Sequence, residues 1–265
     1  MHGVVFPQAV GEPFSPELEL RVGGVTLRGT SVAARATAFA VPEFGVALDV
    51  GRMSPTIAAQ PVVLLSHGHL DHLSGVLAYL NVRARFHTGD PTRLVVPESV
   101  AGPLTQALAL MPGMESVRKR LRLEDVIVGV TPGVRVKIAG GTAVPFVVDH
   151  SIATLGWALR RPRRRRAVLV YAADGSTEPF TADLGLLDAE LAIVECTFLE
   201  RNRKVAARLA KHAHLSDWVA LASKLRCDHL VLAHLPPMPS ARITTLLAPL
   251  AERFQGRLVA WSVAK

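Results

Sequence analysis

Residues 67–72 read His-Gly-His-Leu-Asp-His, directly after the apolar run Pro61-Val62-Val63-Leu64-Leu65-Ser66. A short apolar run of this kind reads as a buried strand. The chain therefore has to fold so that three imidazoles and a carboxylate emerge from the end of a core strand. Imidazole nitrogen and carboxylate oxygen are the donors that borderline-soft zinc accepts. His67 and His69 alternate as strand-end side chains do, so they can point the same way. Asp71 and His72 open the next segment, 71–82, whose apolar spacing is helical, and they can point elsewhere. One loop can in this way serve two metals. The plainer alternative is a solvated loop with a helix cap.

Composition bounds the rest. The chain has 265 residues, 49% hydrophobic and 20% charged, enough for one large core. With no linker, low-complexity tract or short repeat, one domain spanning 1–265 is expected. A net charge of +8 favours an anionic partner, although free use of arginine would also produce it. Aromatics at 5% offer little surface for base stacking. The two cysteines, Cys196 and Cys227, form no Cys-x-x-Cys pair and read as buried thiols rather than a disulfide framework. The opening segment, residues 1–7, has neither a basic region nor a long apolar core and does not read as a signal peptide. No uncharged apolar run of about 18 residues is present, so no membrane span is expected. A reducing, cytoplasmic setting follows.

Hydrophobic spacing and turn residues divide the chain into two β-rich stretches, each closed by helices. In the first, strands are expected within 18–30, 36–50, 61–66 and 93–97, with helices over 71–82 and 99–111. In the second, strands are expected within 124–149, 192–194, 230–233 and 258–261, with a hairpin of 152–159 and 167–173. Helices are expected over 203–212, 216–226 and 240–254. The pattern by itself supports a mixed α/β fold.

The loop 67–72 resembles the His-x-His-x-Asp-His motif of the metallo-β-lactamase superfamily. Other segments follow in that family's order: Leu48-Asp49-Val50-Gly51-Arg52 before the motif, then Asp149-His150-Ser151 with Leu155-Gly156-Trp157, and Tyr171-Ala172-Ala173-Asp174-Gly175. Glu195-Cys196-Thr197-Phe198-Leu199, His212-Ala213-His214-Leu215-Ser216 and Leu232-Ala233-His234 complete the series. The whole is similar to the ribonuclease Z (tRNase Z) branch, short form, including the plant-type short enzymes. The resemblance runs from about Asp49 to the carboxyl terminus. It implies an α/β fold of the αβ/βα sandwich type, with two mixed sheets packed face to face and helices outside.

The resemblance also implies a site. His67, His69 and His150 would bind one metal. Asp71, His72 and His234 would bind a second, and Asp174 would bridge the two. Two zinc ions are implied, with manganese or iron as alternatives. Zinc lowers the pKa of bound water to about 7, and seven protein ligands leave positions open for water and substrate. Asp71 would also steer the nucleophile. His214 would protonate the leaving oxygen and Glu195 would hold its tautomer; the spacing to Ser216 and to His234 favours His214 over His212. Asp49 would orient the ligands from behind. A homodimer is implied as well.

Three departures from ribonuclease Z stand out. Only 23 residues separate His150 from Asp174, where the family inserts its tRNA-clamping arm. Ala173-Asp174-Gly175 replaces Gly-Asp-Thr. After His234 comes Leu235-Pro236-Pro237-Met238-Pro239, with Ser240-Ala241-Arg242 displaced downstream. The short hairpin turns through Arg160, Arg161, Arg163, Arg164, Arg165 and Arg166. That loop reads either as a reduced RNA-binding exosite or as a solvated turn on a basic protein. The function expected is a dinuclear zinc phosphodiesterase, an endonuclease cutting tRNA precursors at the 3′ side. A small-molecule phosphodiesterase acting on cyclic nucleotides or similar esters is the alternative. A nucleic-acid-binding protein with a degenerate metal site ranks below both.

Overall fold

The computed structural model describes residues 3–10 and 17–262; Met1 and His2 of the opening segment lie outside the described residues. Strands β1 (Gln8–Val10), β2 (Glu17–Val22), β3 (Val25–Val32), β4 (Ala36–Val41), β5 (Val46–Leu48), β6 (Val62–Leu64), β7 (Arg93–Pro97) and β8 (Ile127–Val130) form one sheet in sequence order. The second sheet is also in sequence order. It contains β9 (Val136–Ile138), β10 (Gly141–Val148), β11 (Thr154–Arg160), β12 (Ala167–Ala172), β13 (Ala189–Glu195), β14 (His229–Ala233) and β15 (Leu258–Ala260).

Each sheet starts antiparallel and turns parallel. The change comes at β5 in the first and at β12 in the second. Parallel neighbours need crossovers, and helices supply them. The first half carries α1 (Pro55–Ala58), α2 (Leu70–Leu73), α3 (Val76–Phe86), α4 (Glu98–Leu110), α5 (Glu115–Arg118) and α6 (Leu123–Val126). The second carries α7 (Glu178–Ala182), α8 (Lys204–Ala210), α9 (Leu215–Leu221) and α10 (Ser240–Phe254).

Strand alternation sorts side chains into three cores. On β13, Leu191 and Ile193 face the space between the sheets, while Ala192 and Val194 face α9 and α10. The inter-sheet core draws Phe39 and Leu48 from one sheet and Trp157 and Tyr171 from the other. A third cluster packs α3, α4 and α6 against the outer face of the first sheet. Such period-two partition is what a strand covered on both sides requires. The result is the expected sandwich of two mixed sheets with helices outside. No helix among the described residues is long and apolar enough to cross a membrane.

Local differences from the sequence reading have local causes. The expected helix over 71–82 is two helices, α2 and α3, parted at Ser74 and Gly75. Gly75 N donates to Val50 O (2.8 Å), and a Cβ on Gly75 would come within 2.5 Å of that oxygen. The chain at Gly75 is thus pressed onto the strand end that carries Asp49. Helix α10 has the expected bounds because five of its apolar residues, Ile243 to Phe254, share one buried stripe. Both cysteines are buried thiols, and burial pushes Cys227 up to about 12.

Candidate metal centre and its proton-handling pair

The carboxyl ends of β5, β6, β10, β12, β13 and β14 lie on one rim, which is where open α/β sheets bind ligands. Asp49 follows β5, the loop 67–72 follows β6, His150 follows β10 and Asp174 follows β12. Glu195 ends β13 and His234 follows β14.

Three imidazole nitrogens converge first. His67 Nε2 lies 3.0 Å from His69 Nδ1, and His150 Nε2 lies 3.3 Å from the same atom. Burial, reinforced by His72 nearby, pushes His67 down to about 2, so its ring is neutral and carries a lone pair. In the second group, His234 Nε2 stands 3.1 Å from Asp71 Oδ2 and 3.3 Å from Asp174 Oδ2. His72 Nε2 stands 3.3 Å from Asp174 Oδ2 and 3.8 Å from Asp71 Oδ2. Burial works to raise Asp71, but the His234 hydrogen bond and His72 win and hold it at about 2. Asp174 is buried too, and His72 and His234 keep its carboxyl well below the usual range.

The fit of this donor set to a cation can be tested on one atom. His72 Nε2 is fully buried and makes no hydrogen bond. A buried polar atom without a partner costs free energy, and here it faces two carboxylates and a second imidazole. A divalent cation would satisfy all four groups. His67, His69 and His150 form a separate three-nitrogen group of the kind that leaves a coordination position open.

The ring nitrogens on the far side are held as well. His72 Nδ1 donates to Asp49 Oδ2 (2.7 Å). His67 Nδ1 meets Ser66 Oγ (2.9 Å), which itself donates to Asp49 Oδ2 (2.8 Å). Ser66 N and Tyr171 OH also donate to Asp49, at 2.6 and 2.5 Å. His150 Nδ1 donates to Lys211 O (3.1 Å), and His234 Nδ1 meets Thr197 Oγ1 (2.9 Å). Fixing one ring nitrogen sets the tautomer at the other and aims the imidazole. Asp49 and His234 both have left-handed backbones, φ +59° and +52°. Such conformations are uncommon outside glycine and cluster at functional sites. Gly51 has no room for a side chain, since a Cβ would sit 1.7 Å from Asp71 O.

One expected pairing is corrected. Glu195 does not reach His214. Its Oε1 accepts from His212 Nδ1 (3.0 Å) and Ala213 N (2.6 Å), and its Oε2 accepts from Thr197 N and Oγ1 (2.7 and 2.8 Å). The cause is the turn at Lys211, a left-handed residue (φ +52°) that closes α8 and swings His212 toward the rim. His212 stacks on His234 at 5.7 Å and meets the edge of His150 at 4.9 Å. His214 is two residues further on and faces away. Its Nδ1 accepts from Ser216 N (3.1 Å) as the N-cap of α9, and its Nε2 lies 3.0 Å from Glu200 O. Spacing from Ser216 marks a helix cap, and the histidine held by Glu195 is His212. Burial lowers the pKa of His212, but the Glu195 hydrogen bond and charge outweigh it and raise it above 6.5.

Other contributors were given no role by the sequence. Ser66, Thr197 and Tyr171 act only by hydrogen bonding behind ligands. Lys211 Nζ binds Asp149 Oδ1 (2.8 Å), tying the turn before His212 to the residue before His150.

The arginine hairpin is elsewhere. Strand β11 leaves the rim at Thr154 and β12 returns to it, so the turn lies at the opposite end, roughly 20 Å away at the usual rise per residue. Arg166 is not a free cation there. It binds Asp188 and Asp228 at 2.7–2.9 Å and the carbonyls of Ala189 and Arg226 at 2.8 Å. Arg160 donates to Arg165 O, Arg161 to Gly24 O, and Arg164 pairs with Glu190 at 3.5 Å.

Residues 41–235 match the model of the β-lactamase superfamily domain. The chain belongs to the metallo-β-lactamase superfamily. Among curated relatives it is 24% identical over 241 residues to the chloroplastic tRNase Z TRZ2 of Arabidopsis thaliana, covering 78% of this chain and 66% of that one. It is 24% identical over 257 residues to tRNase Z TRZ1 of the same plant, covering 85% and 89%. Among solved structures, the metallo-β-lactamase fold protein YhfI of Bacillus subtilis superposes with a TM-score of 0.64 at 16% identity, over 89% of this chain and 94% of that one. Its likeness extends to the fold.

Proposed function

We propose that this protein is a dinuclear, metal-dependent phosphodiesterase of the ribonuclease Z type, acting on RNA at the 3′ side of tRNA precursors. The observation that carries the reading is His212, bound to Glu195 and in ring contact with a ligand of each cluster. A centre that only held metal for structure would have no use for a histidine positioned in this way. The relatives named as tRNase Z supply the substrate class.

In this reading His67, His69 and His150 would hold one zinc, and Asp71, His72, Asp174 and His234 would hold the other. When bound, the metals lower the pKa of water and offset the negative charge that builds on a phosphodiester in the transition state. The protein's own groups do the rest. Glu195 fixes the proton on His212 Nδ1 and leaves Nε2 to protonate the leaving oxygen. Asp49 and Thr197 keep the ligand rings aimed.

The short β11–β12 hairpin favours a second reading, a small-molecule phosphodiesterase, because it leaves no arm to clamp a folded RNA. Incubation with a tRNA precursor, bis-p-nitrophenyl phosphate and cyclic nucleotides side by side separates the two. Cleavage of the precursor at the 3′ side supports the first reading. Turnover of the small esters with the precursor left intact replaces it by the second.

A further inference from the structure

Two clefts open beside the ligand clusters, and they differ in chemistry. The larger, about 590 Å³, adjoins His150 and is walled by Val130, Val147 and Ile152, with Glu98 at its edge. The smaller, about 410 Å³, adjoins His212 and is walled by Lys204, Arg208, Ser176 and Thr177, with Glu178 and Asp217 also on its lining. Asp217 is tied to Lys204 at 3.3 Å.

The basic wall belongs to residues 201–211, Arg-Asn-Arg-Lys-Val-Ala-Ala-Arg-Leu-Ala-Lys, which hold five cations and no carboxylate. Within α8 only Ala207 is buried, and Val205 and Leu209 are 73% and 80% exposed. A helix that buries one alanine adds little to the core, so packing does not account for its composition. Arg201, Arg203 and Arg208 are exposed. Arg203 lies over the ring of Phe198 at 5.6 Å, and that ring is 6.1 Å from His212. Arg201 and Arg208 make no ion pair among the described residues.

We propose that Arg201, Arg203 and Arg208 form the track along which the ribose-phosphate backbone of an RNA approaches the centre, with a phosphate next to the scissile one seated in the smaller cleft. The proposal rests on the phosphodiesterase reading above. The planar fork of arginine suits phosphate oxygens, and the track ends three residues before Lys211 and four before His212. The other surfaces fit a polyanion less well. The larger cleft offers apolar walls and a carboxylate, and the arginine hairpin lies at the opposite rim with most of its guanidinium groups bound to protein.

The test is fluorescence anisotropy of a labelled hairpin RNA with a single-stranded 3′ tail, across a salt series, with hydrolysis of bis-p-nitrophenyl phosphate measured beside it. The combined change Arg201→Ser, Arg203→Ser and Arg208→Ser is expected to weaken RNA binding at least about tenfold. It should also reduce the salt slope by roughly 2 to 3, the counterion release of three lost phosphate contacts. Hydrolysis of the small ester stays unchanged and reports that the fold is intact. Changing Arg163, Arg164 and Arg165 to Ser leaves RNA binding as it was. An unchanged affinity and slope in the α8 variant overturns the proposal. So does an equal loss in the hairpin variant, or a parallel loss of small-ester hydrolysis in the α8 variant. Wild-type protein that binds RNA through α8 but hydrolyses no phosphodiester overturns the functional reading instead, and the track survives it.

Discussion

The first sheet brings His67, His69, Asp71 and His72 to the rim on one loop, whereas the second brings His150, Asp174, Glu195, His212 and His234 from five separate stretches of chain. The two halves share an order of strands and a switch from antiparallel to parallel pairing, yet they build the site by different means. In the first half the ligand spacing is set by a turn a few residues long. In the second it depends on the register of three parallel strands, in which Ala172 pairs Val194, Val194 pairs Leu232 and Glu195 pairs Ala233. A slip of one residue would turn those strand ends to the opposite face. The halves are also joined by polar bonds at the rim. Trp157 Nε1 donates to Leu65 O (3.2 Å), Leu155 N to Ser66 O (2.9 Å), and His234 N to Ser31 Oγ (2.8 Å). The lesson is that a contiguous loop is read easily, but it is held in place by residues remote in sequence.

Substitutions in either half should disable the site. The largest effect is expected from Asp71→Ala in the first-half loop, which removes a carboxylate from the second cluster. Phosphodiester hydrolysis should fall by about 10³ or more, the scale of losing several kcal/mol of charge stabilisation. Steady-state rates on bis-p-nitrophenyl phosphate measure it, and a loss below tenfold would remove Asp71 from the centre.

In the second half, His212→Asn should slow RNA or alkyl phosphodiesters by about 10² to 10⁴. It should slow nitrophenyl esters far less, because their leaving group needs little protonation. The raised pKa of His212 sets the sign of the pH dependence. The acid form of His212 is the donor, so kcat/KM for poor leaving groups has a limb that falls as pH rises through a value above 6.5. That limb should vanish in His212→Asn. His214→Ala should leave the ratio between substrates unchanged and lower stability by about 1 kcal/mol, the loss of a helix cap.

Smaller effects sharpen the contrast behind the ligands. Asp49 holds His72 directly and His67 through Ser66, so Asp49→Asn should weaken metal binding at both clusters. Thr197 meets His234 alone among the ligands, so Thr197→Val should weaken one. Each loss is expected at about 10- to 100-fold in affinity, read by competition with a chromophoric chelator. Identical two-step titrations for both variants would contradict the assigned wiring.

How much was legible follows from the same contrast. The loop 67–72 announced itself because four potential ligands, three imidazoles and a carboxylate, fall within six residues after a strand. His150, Asp174 and His234 are single polar residues at strand ends, and only the family resemblance distinguished them from turn residues. Between His212 and His214 the spacing favoured His214, which stands just before the expected helix start at Ser216, whereas His212 fell at the end of the preceding one. The deciding feature is the left-handed Lys211, which no spacing rule reveals. The arginine hairpin was conspicuous by composition, but Arg166 proved to be an anchor to Asp188 and Asp228. The less conspicuous cations of α8 lie beside the site because α8 ends at the turn that supplies His212.

In the proposed reading, residues from both halves close two cation sites on one rim. Elemental analysis of protein purified without chelator and equilibrated with zinc tests it most directly. Two ions per chain are expected in the wild type, and one in His150→Ala, where the Asp71, His72, Asp174 and His234 cluster remains whole. A wild-type value of one or none would contradict it.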